Sequence, residues 1–236
     1  MNNLINILKK FINPKIDISD EYVEWLCFAN AGMLNRGNLY SFDYAIKNLP
    51  SNNPILEIGS FCGLSTNLIN YYLFKNNKNN LLFTADKWIF EGSESESGRL
   101  GDSLITHQEY REFVKSTFKR NVSFFSKNNL PHTIECFSDE LFELWSQNKS
   151  VYDVFDREVI VGGPISFCYI DGDHSYDFAK RDFENSDKYL EKGGFVLFDD
   201  SSDRQNLGSS HLMKEILKNE KYELIIKNPN YLFRKK

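Results

Sequence analysis

The chain reads as an α/β protein built on a doubly wound, mostly parallel seven-stranded sheet, with an antiparallel hairpin at its C-terminal end and helices ahead of the sheet. Three features predict this. Short apolar runs alternate with amphipathic stretches from Pro54 onward, a glycine-bearing turn follows the first run, and the last two runs are separated only by Asn228-Pro229-Asn230. Strands that alternate with helices require right-handed crossovers and a sheet covered on both faces.

The elements follow in order. Within the first fifty residues, Tyr22, Val23, Trp25, Leu26 and Ala29 recur at helical spacing, so residues 1–50 are predicted to form two or three helices that pack over one edge of a domain spanning 51–236. Strand-like runs are predicted at 55–58, 81–85, 132–136, 165–170 and 194–198, and the hairpin at 222–227 and 231–234. Between the second and third runs lies the polar stretch 91–98, Glu-Gly-Ser-Glu-Ser-Glu-Ser-Gly, followed by an amphipathic helix bearing Tyr110, Phe113, Val114 and Phe118. Long connections of this kind often act as lids, so residues 87–125 are expected to form a flexible, lid-like insertion.

Composition narrows the class. The chain has 236 residues, 41% hydrophobic and 26% charged, with 20 Phe and 12 Tyr, which suits one folded domain with appendages. A net charge of -5 argues against a nucleic-acid partner, because no segment concentrates the Lys and Arg that a phosphate backbone demands. The start, MNNLINILKKF, lacks the features of a signal peptide, and no apolar run approaches the ~20 residues needed to span a bilayer, so no membrane association is expected. Cys27, Cys62, Cys136 and Cys168 are scattered without metal-type pairing and are expected to be reduced thiols in a cytoplasmic protein. The sequence leaves open whether the chain forms a homo-oligomer.

The strongest local signal is Glu57-Ile58-Gly59-Ser60-Phe61-Cys62-Gly63-Leu64-Ser65, an apolar strand followed by a glycine turn and a helix start. Ligands of open α/β sheets bind at the carboxyl ends of the strands near the switch point, where glycine lets the backbone approach. The spacing Glu-x-Gly-x-x-x-Gly is not the dinucleotide fingerprint, and Phe61 stands where that fingerprint makes room for a pyrophosphate. A second signal is acidic. Asp171 in Asp-Gly-Asp-His follows the fourth main run, and Asp199 and Asp200 follow the fifth. Neighbouring parallel strands lie ~5 Å apart, so these carboxylates should converge, repel and raise one another's pKa unless a hard cation such as Mg²⁺ or Mn²⁺ joins them.

Residues 57–65 resemble motif I of class I S-adenosylmethionine-dependent methyltransferases. The similarity is strongest to catechol O-methyltransferase and to the sugar O-methyltransferases of macrolide tailoring, and it runs from Pro54 to the C-terminus. The resemblance implies a cofactor, S-adenosyl-L-methionine, held by Glu57 at its amino group, Gly59 at its methionine part, Ser60 and Gly63 of the same loop, Asp86 at the ribose, Ser138 near the adenine, and Asp171. Ser65 would cap the first crossover helix. The family acid beside Ser138 is replaced by Phe137, and Asp139 is a candidate substitute. The same resemblance implies a cation on Asp171, Asp199 and Asp200 and His174 as general base, while Asp173 is expected to orient the loop or cap the helix beginning near Tyr176. The acceptor would be a hydroxyl of a small molecule, with the Asp-Gly-Asp-His sequence favouring a sugar or glycosylated metabolite. The competing readings are a metal-independent methyltransferase, a dinucleotide-dependent oxidoreductase, and a scaffold that kept only the fold.

Overall fold

A computed structural model describes residues 20–90, 92–204 and 207–236. Its elements in chain order are α1 (Glu21–Ala29), α2 (Gly37–Lys47), β1 (Ile55–Ile58), α3 (Leu64–Lys75), β2 (Leu82–Ala85), α4 (His107–Phe125), β3 (His132–Ile134), α5 (Ser138–Ser146), β4 (Ser150–Tyr152), β5 (Glu158–Ile160), β6 (Ile165–Ile170), α6 (Tyr176–Tyr189), β7 (Leu190–Phe198), α7 (Gly208–Ile216), β8 (Tyr222–Lys227) and β9 (Tyr231–Lys235). Seven strands form one sheet in the order β3-β2-β1-β6-β7-β9-β8. The strands β3, β2, β1, β6 and β7 are mutually parallel, and β9 runs antiparallel to both β7 and β8. Chain order reverses between β1 and β6, the switch point at which such sheets take ligands.

The central strand shows why the run 165–170 is legible as a strand. Every residue of β6 is buried, as expected of a parallel strand covered on both faces. Its alternate side chains feed two cores. Cys168 and Ile170 join a cluster with Leu141, Phe183 and Met213 of α5, α6 and α7, while Phe167 and Tyr169 join one with Leu26, Phe42 and Leu68 of α1, α2 and α3. The N-terminal helices therefore cover a face of the sheet beside α3, not an edge. Two of the expected helices lie among the described residues, and the remainder of that expectation falls on residues 1–19, outside them.

Local chemistry sets the ends of these helices. Asp20 caps α1 by accepting from the Val23 N–H at 3.0 Å. At the start of α2, Gly37 lies so close to the β8–β9 turn that a Cβ would sit 1.7 Å from the Asn228 carbonyl oxygen. Gly37→Ala should push α2 off the turn and lower stability by about 3 kcal/mol or more. Chemical denaturation measures this, and a change below about 0.5 kcal/mol would contradict the docking.

The insertion is built around one long helix. Helix α4 begins with a capping box between Thr106 and Glu109 and buries Val114, Phe118 and Val122 against Cys62 and Trp88. The polar stretch before it is folded back by an Arg99–Thr106 bridge, and both ring nitrogens of His107 meet carbonyls, of Ser95 at 3.0 Å and Arg99 at 2.9 Å. Glu91 lies outside the described residues. A small antiparallel pair, β4 with β5, has no counterpart in the sequence reading, because its three-residue strands present no buried run. Among the described residues no helix is long and apolar enough to cross a membrane.

Candidate active site

The site assembles where β1, β2, β6 and β7 end. At the end of β1 the chain turns through Gly59 (φ 84°), Phe61 (φ 44°) and Gly63 (φ 88°) before entering α3. Two neighbours enforce this turn. A Cβ on Gly59 would lie 2.0 Å from the Asp171 carbonyl oxygen, and one on Gly63 would lie 2.8 Å from Val122 of α4. Asp86 grips the turn: its Oδ2 accepts from the N–H groups of Ser60 (2.8 Å) and Phe61 (2.9 Å), and its Oδ1 accepts from Trp88 N–H (2.6 Å). Burial pushes the Asp86 carboxyl up and these three bonds oppose it.

The far side of the loop is tied to α1, α3 and α4 by a chain of side-chain amides. The Cys62 carbonyl accepts from Asn30 at 3.0 Å and from Asn121 at 2.9 Å. Asn30 Oδ1 accepts from Asn67 (2.7 Å), Asn67 Oδ1 from Ser126 (2.6 Å), Ser126 Oγ from Asn70 (3.0 Å) and Asn70 Oδ1 from Asn129 (3.0 Å).

Glu57 is buried under this loop. Its Oε2 accepts from the Thr66 hydroxyl at 2.5 Å and the carboxyl also receives the Ser65 hydroxyl, while Oε1 has no partner. Ser65 therefore serves Glu57, and the cap position of α3 is occupied by Gly63 without a side-chain bond, contrary to the expected capping role of Ser65. The Ser60 hydroxyl is likewise buried and unpartnered. Burial raises Glu57 from 4.5 to about 7, the hydroxyl bonds opposing it and the Asp86 charge adding to it.

A pH dependence follows. Below pH 4.5 the Glu57 carboxyl is protonated in both the folded and the unfolded chain. As pH rises from 4.5 to about 7 the unfolded chain sheds a proton that the folded chain keeps. Stability should therefore fall through this window, by ~3 kcal/mol from this group, and then level off. Denaturation at a series of pH values should show a shallower slope in Glu57→Gln, and an unchanged slope would contradict the assignment.

The carboxyl side of the site is centred on Asp171 and Asp199. Their carboxyls hydrogen-bond each other, and Asp171 Oδ2 accepts from Tyr169 Oη at 3.2 Å. Burial and then the Asp199 charge hold Asp171 well above the usual carboxylate range, and burial with the Asp200 charge raises Asp199. Asp199 Oδ1 accepts from the amides of Asn38 and Asn230. Asp200, at φ 46°, turns toward His174 instead, with Oδ2 3.3 Å from Nε2. Ser209 at the start of α7 joins the two loops, its N–H donating to the His174 carbonyl (3.0 Å) and its hydroxyl to the Asp200 carbonyl (2.7 Å). Asp173 accepts from the Ser175 N–H at 2.7 Å just ahead of α6.

The predicted residues are thus brought to one sheet edge, with three departures in their partners. Asp200 pairs with the candidate base, and among the described residues no three His, Cys, Asp or Glu side chains form a ready cation cluster. Ser138 binds the buried Asp182 of α6. Asp139 faces α6 as well, 2.9 Å from Arg181 Nε and 3.2 Å from Asn185 Nδ2. Asn38, Asn230 and Ser209 were not singled out by the sequence, and only the turn residues around Asn230 carried any signal.

Known proteins share the fold that carries this site. Residues 56–201 match the family described as Methyltransferase domain. An uncharacterized protein, R132 of Acanthamoeba polyphaga mimivirus, is 30% identical over 77 residues, which is 33% of this chain and 34% of that protein. The chain thus matches about a third of the length of that curated relative. Among solved structures, an O-methyltransferase from Bacillus cereus in complex with S-adenosylhomocysteine has a TM-score of 0.55 at 14% identity, covering 99% of this chain and 97% of that one. CalS11, a calicheamicin methyltransferase, has a TM-score of 0.55 at 17% identity, covering 84% of this chain and 78% of that one. CalS11, also solved in an apo form, is described there as a TDP-rhamnose 3'-O-methyltransferase.

Proposed function

Because the chain belongs to the methyltransferase domain family, we propose that it transfers the methyl group of S-adenosylmethionine to a hydroxyl of a small molecule, a sugar or glycosylated metabolite, with a divalent cation at its acidic strand ends. The observation that carries this is the meeting, across the β1–β6 switch point, of an unsatisfied loop with a carboxyl pair. Glu57 Oε1 and Ser60 Oγ are buried without partners on one side, and Asp171 and Asp199 touch on the other. The sugar acceptor is supported by the Asp-Gly-Asp-His sequence and by the fold shared with the TDP-rhamnose enzyme.

We take residues 51–236 as the methyltransferase unit, with α1 and α2 packed on one face of its sheet. When bound, the cofactor supplies an electrophilic methyl on a sulfonium sulfur. Glu57 would receive its amino group, an ammonium that favours the ionised carboxylate. Gly59, Ser60 and Gly63 would hold its methionine end beside Asp171, and Ser138 would serve the adenine. Asp86 has three of its roughly four acceptor positions filled by backbone N–H groups, which leaves room for one ribose hydroxyl.

The donor set fits a hard cation such as Mg²⁺ or Mn²⁺, since it is all oxygen and its two touching carboxyls ionise together only when a positive charge replaces the shared proton. Asp171, Asp199 and Asp200 would hold it, which requires Asp200 to leave His174. A bound cation lowers the pKa of an adjacent hydroxyl. His174, which lies beside Asp200 in this structure, takes the acceptor proton. We place the enzyme in the cytoplasm, where its four cysteines stay as thiols.

A metal-independent methyltransferase is a second reading, favoured by one observation: Asp199 Oδ1 is filled by two amides and Asp200 is engaged with His174. Calorimetry with S-adenosylhomocysteine, and methyl transfer from labelled cofactor to nucleotide sugars with and without chelator, decide between them. No binding of S-adenosylhomocysteine rejects methyl transfer, and activity untouched by chelator rejects the cation alone. The oxidoreductase alternative falls with the family.

A further inference from the structure

We propose that Asn38 and Asn230 are positioning residues for the acidic site, jointly gripping one oxygen of Asp199 so that its carboxyl stays turned toward Asp171. The two amides come from distant parts of the chain, Asn38 from the first turn of α2 and Asn230 from the turn between β8 and β9, 192 residues apart. Both donate to the same atom, Asp199 Oδ1, at 2.5 and 2.6 Å.

Every other polar atom of the two amides is used as well. Asn38 Nδ2 also points at Tyr169 Oη (3.4 Å), Asn38 Oδ1 accepts from Asn230 Nδ2 (3.1 Å), and Asn230 Oδ1 accepts from the Ser201 N–H (3.1 Å). Tyr169 donates to Asp171, which bonds Asp199, so the contacts close into a ring. Asn38, Tyr169, Asn230 and Asp199 are 0, 0, 1 and 3% exposed, which leaves water no access to substitute for a lost amide.

The chemistry selects asparagine. A carboxyl with a single donor can swing about its side-chain torsions, whereas two donors converging on one oxygen from different directions restrict its rotation. Aspartate at position 38 would have the same shape but would set acceptor against acceptor. Gly37 sets the reach of Asn38, because only glycine lets α2 approach the Asn228 carbonyl closely enough. Helix α2 is thereby a working part of the site.

The functional consequence rests on the methyltransferase reading above, and the test separates the two. Crystal structures of wild type and Asn38→Ala, calorimetry with S-adenosylhomocysteine, and Mn²⁺ titration followed by electron paramagnetic resonance are the measurements. In Asn38→Ala the Asp199 carboxyl should rotate and lose Asp171, S-adenosylhomocysteine affinity should hold, and Mn²⁺ affinity should fall roughly 10- to 100-fold, the effect of one hydrogen bond to a charged group. Asn38→Asp should lose more. If Asn38→Ala does not fold, Asn230→Ala removes the other donor of the same oxygen and is read in the same way. A wild type that binds no S-adenosylhomocysteine rejects methyl transfer, and one that binds no Mn²⁺ rejects the cation; the crystallographic result then decides the positioning by itself. An Asp199 carboxyl unmoved in the variant's crystal structure overturns the proposal.

Discussion

His174→Ala should lower methyl transfer by roughly 10²- to 10⁴-fold while leaving S-adenosylhomocysteine binding intact. The ring is half-buried at the strand ends that carry the acidic residues, with its Nε2 3.3 Å from Asp200. Truncation removes the ring but not the local fold, because His174 is anchored through its backbone carbonyl to Ser209 and that bond survives in alanine. The cofactor loop lies across the switch point on β1 and makes no bond to the ring. Steady-state kinetics with a competent acceptor, together with calorimetry, measure both quantities, and full activity would remove His174 from the chemistry. Loss of cofactor binding along with activity would instead mark it as a structural residue.

The second large effect is expected at Gly59. Replacement by valine should abolish measurable S-adenosylhomocysteine binding and lower stability by about 3 kcal/mol or more. The cause differs from simple blockage of a ligand by a branched side chain. At φ 84° the backbone disfavours any L side chain, and the added Cβ would stand 2.0 Å from the Asp171 carbonyl oxygen and 3.2 Å from the Gly172 nitrogen. The end of β1 must then separate from the end of β6, which moves the cofactor loop and the acidic pair together. Gly59→Ala should already show most of the effect, since the first carbon makes the clash. Thermal unfolding and calorimetry on both variants test this, and an alanine variant with wild-type binding would show that the close approach is dispensable.

How far the sequence revealed these features depends on the range of the interaction involved. The run Ile165–Ile170 announces a central strand because six successive buried positions leave no other place for it. Strand β7 begins at Leu190, earlier than its apolar run, because Glu191, Lys192 and Gly193 read as a turn until β6 pairs alongside with a register shift. Pairs such as β4 and β5 alternate exposed and half-buried residues over only three positions and so resemble loop.

The same division runs through the site. Asp171, His174, Asp199 and Asp200 follow strand ends directly, so topology alone brings them together. Asn38 and Asn230 carry no periodic or spacing signal, and their role exists only once α2 has docked on the C-terminal turn. Asp86 was located by its strand, yet its partners, the N–H groups of Ser60, Phe61 and Trp88, are set by a loop conformation that no local pattern encodes.

The amide chain that ends on the Cys62 carbonyl bears on how this protein can diverge or be rebuilt. Asn67, Ser126 and Asn70 each give one hydrogen bond and take another, all in the same direction, so the four links run head to tail. Replacing one of them by an apolar residue strands the donor on one side and the acceptor on the other, at about 1–3 kcal/mol for each buried group left unpaired. Replacing all of them by apolar residues of matching shape can be nearly neutral. These positions should therefore drift as a block among relatives, and a transplant of the glycine loop into another scaffold would have to bring Asn30, Asn67, Asn70 and Ser126 with it.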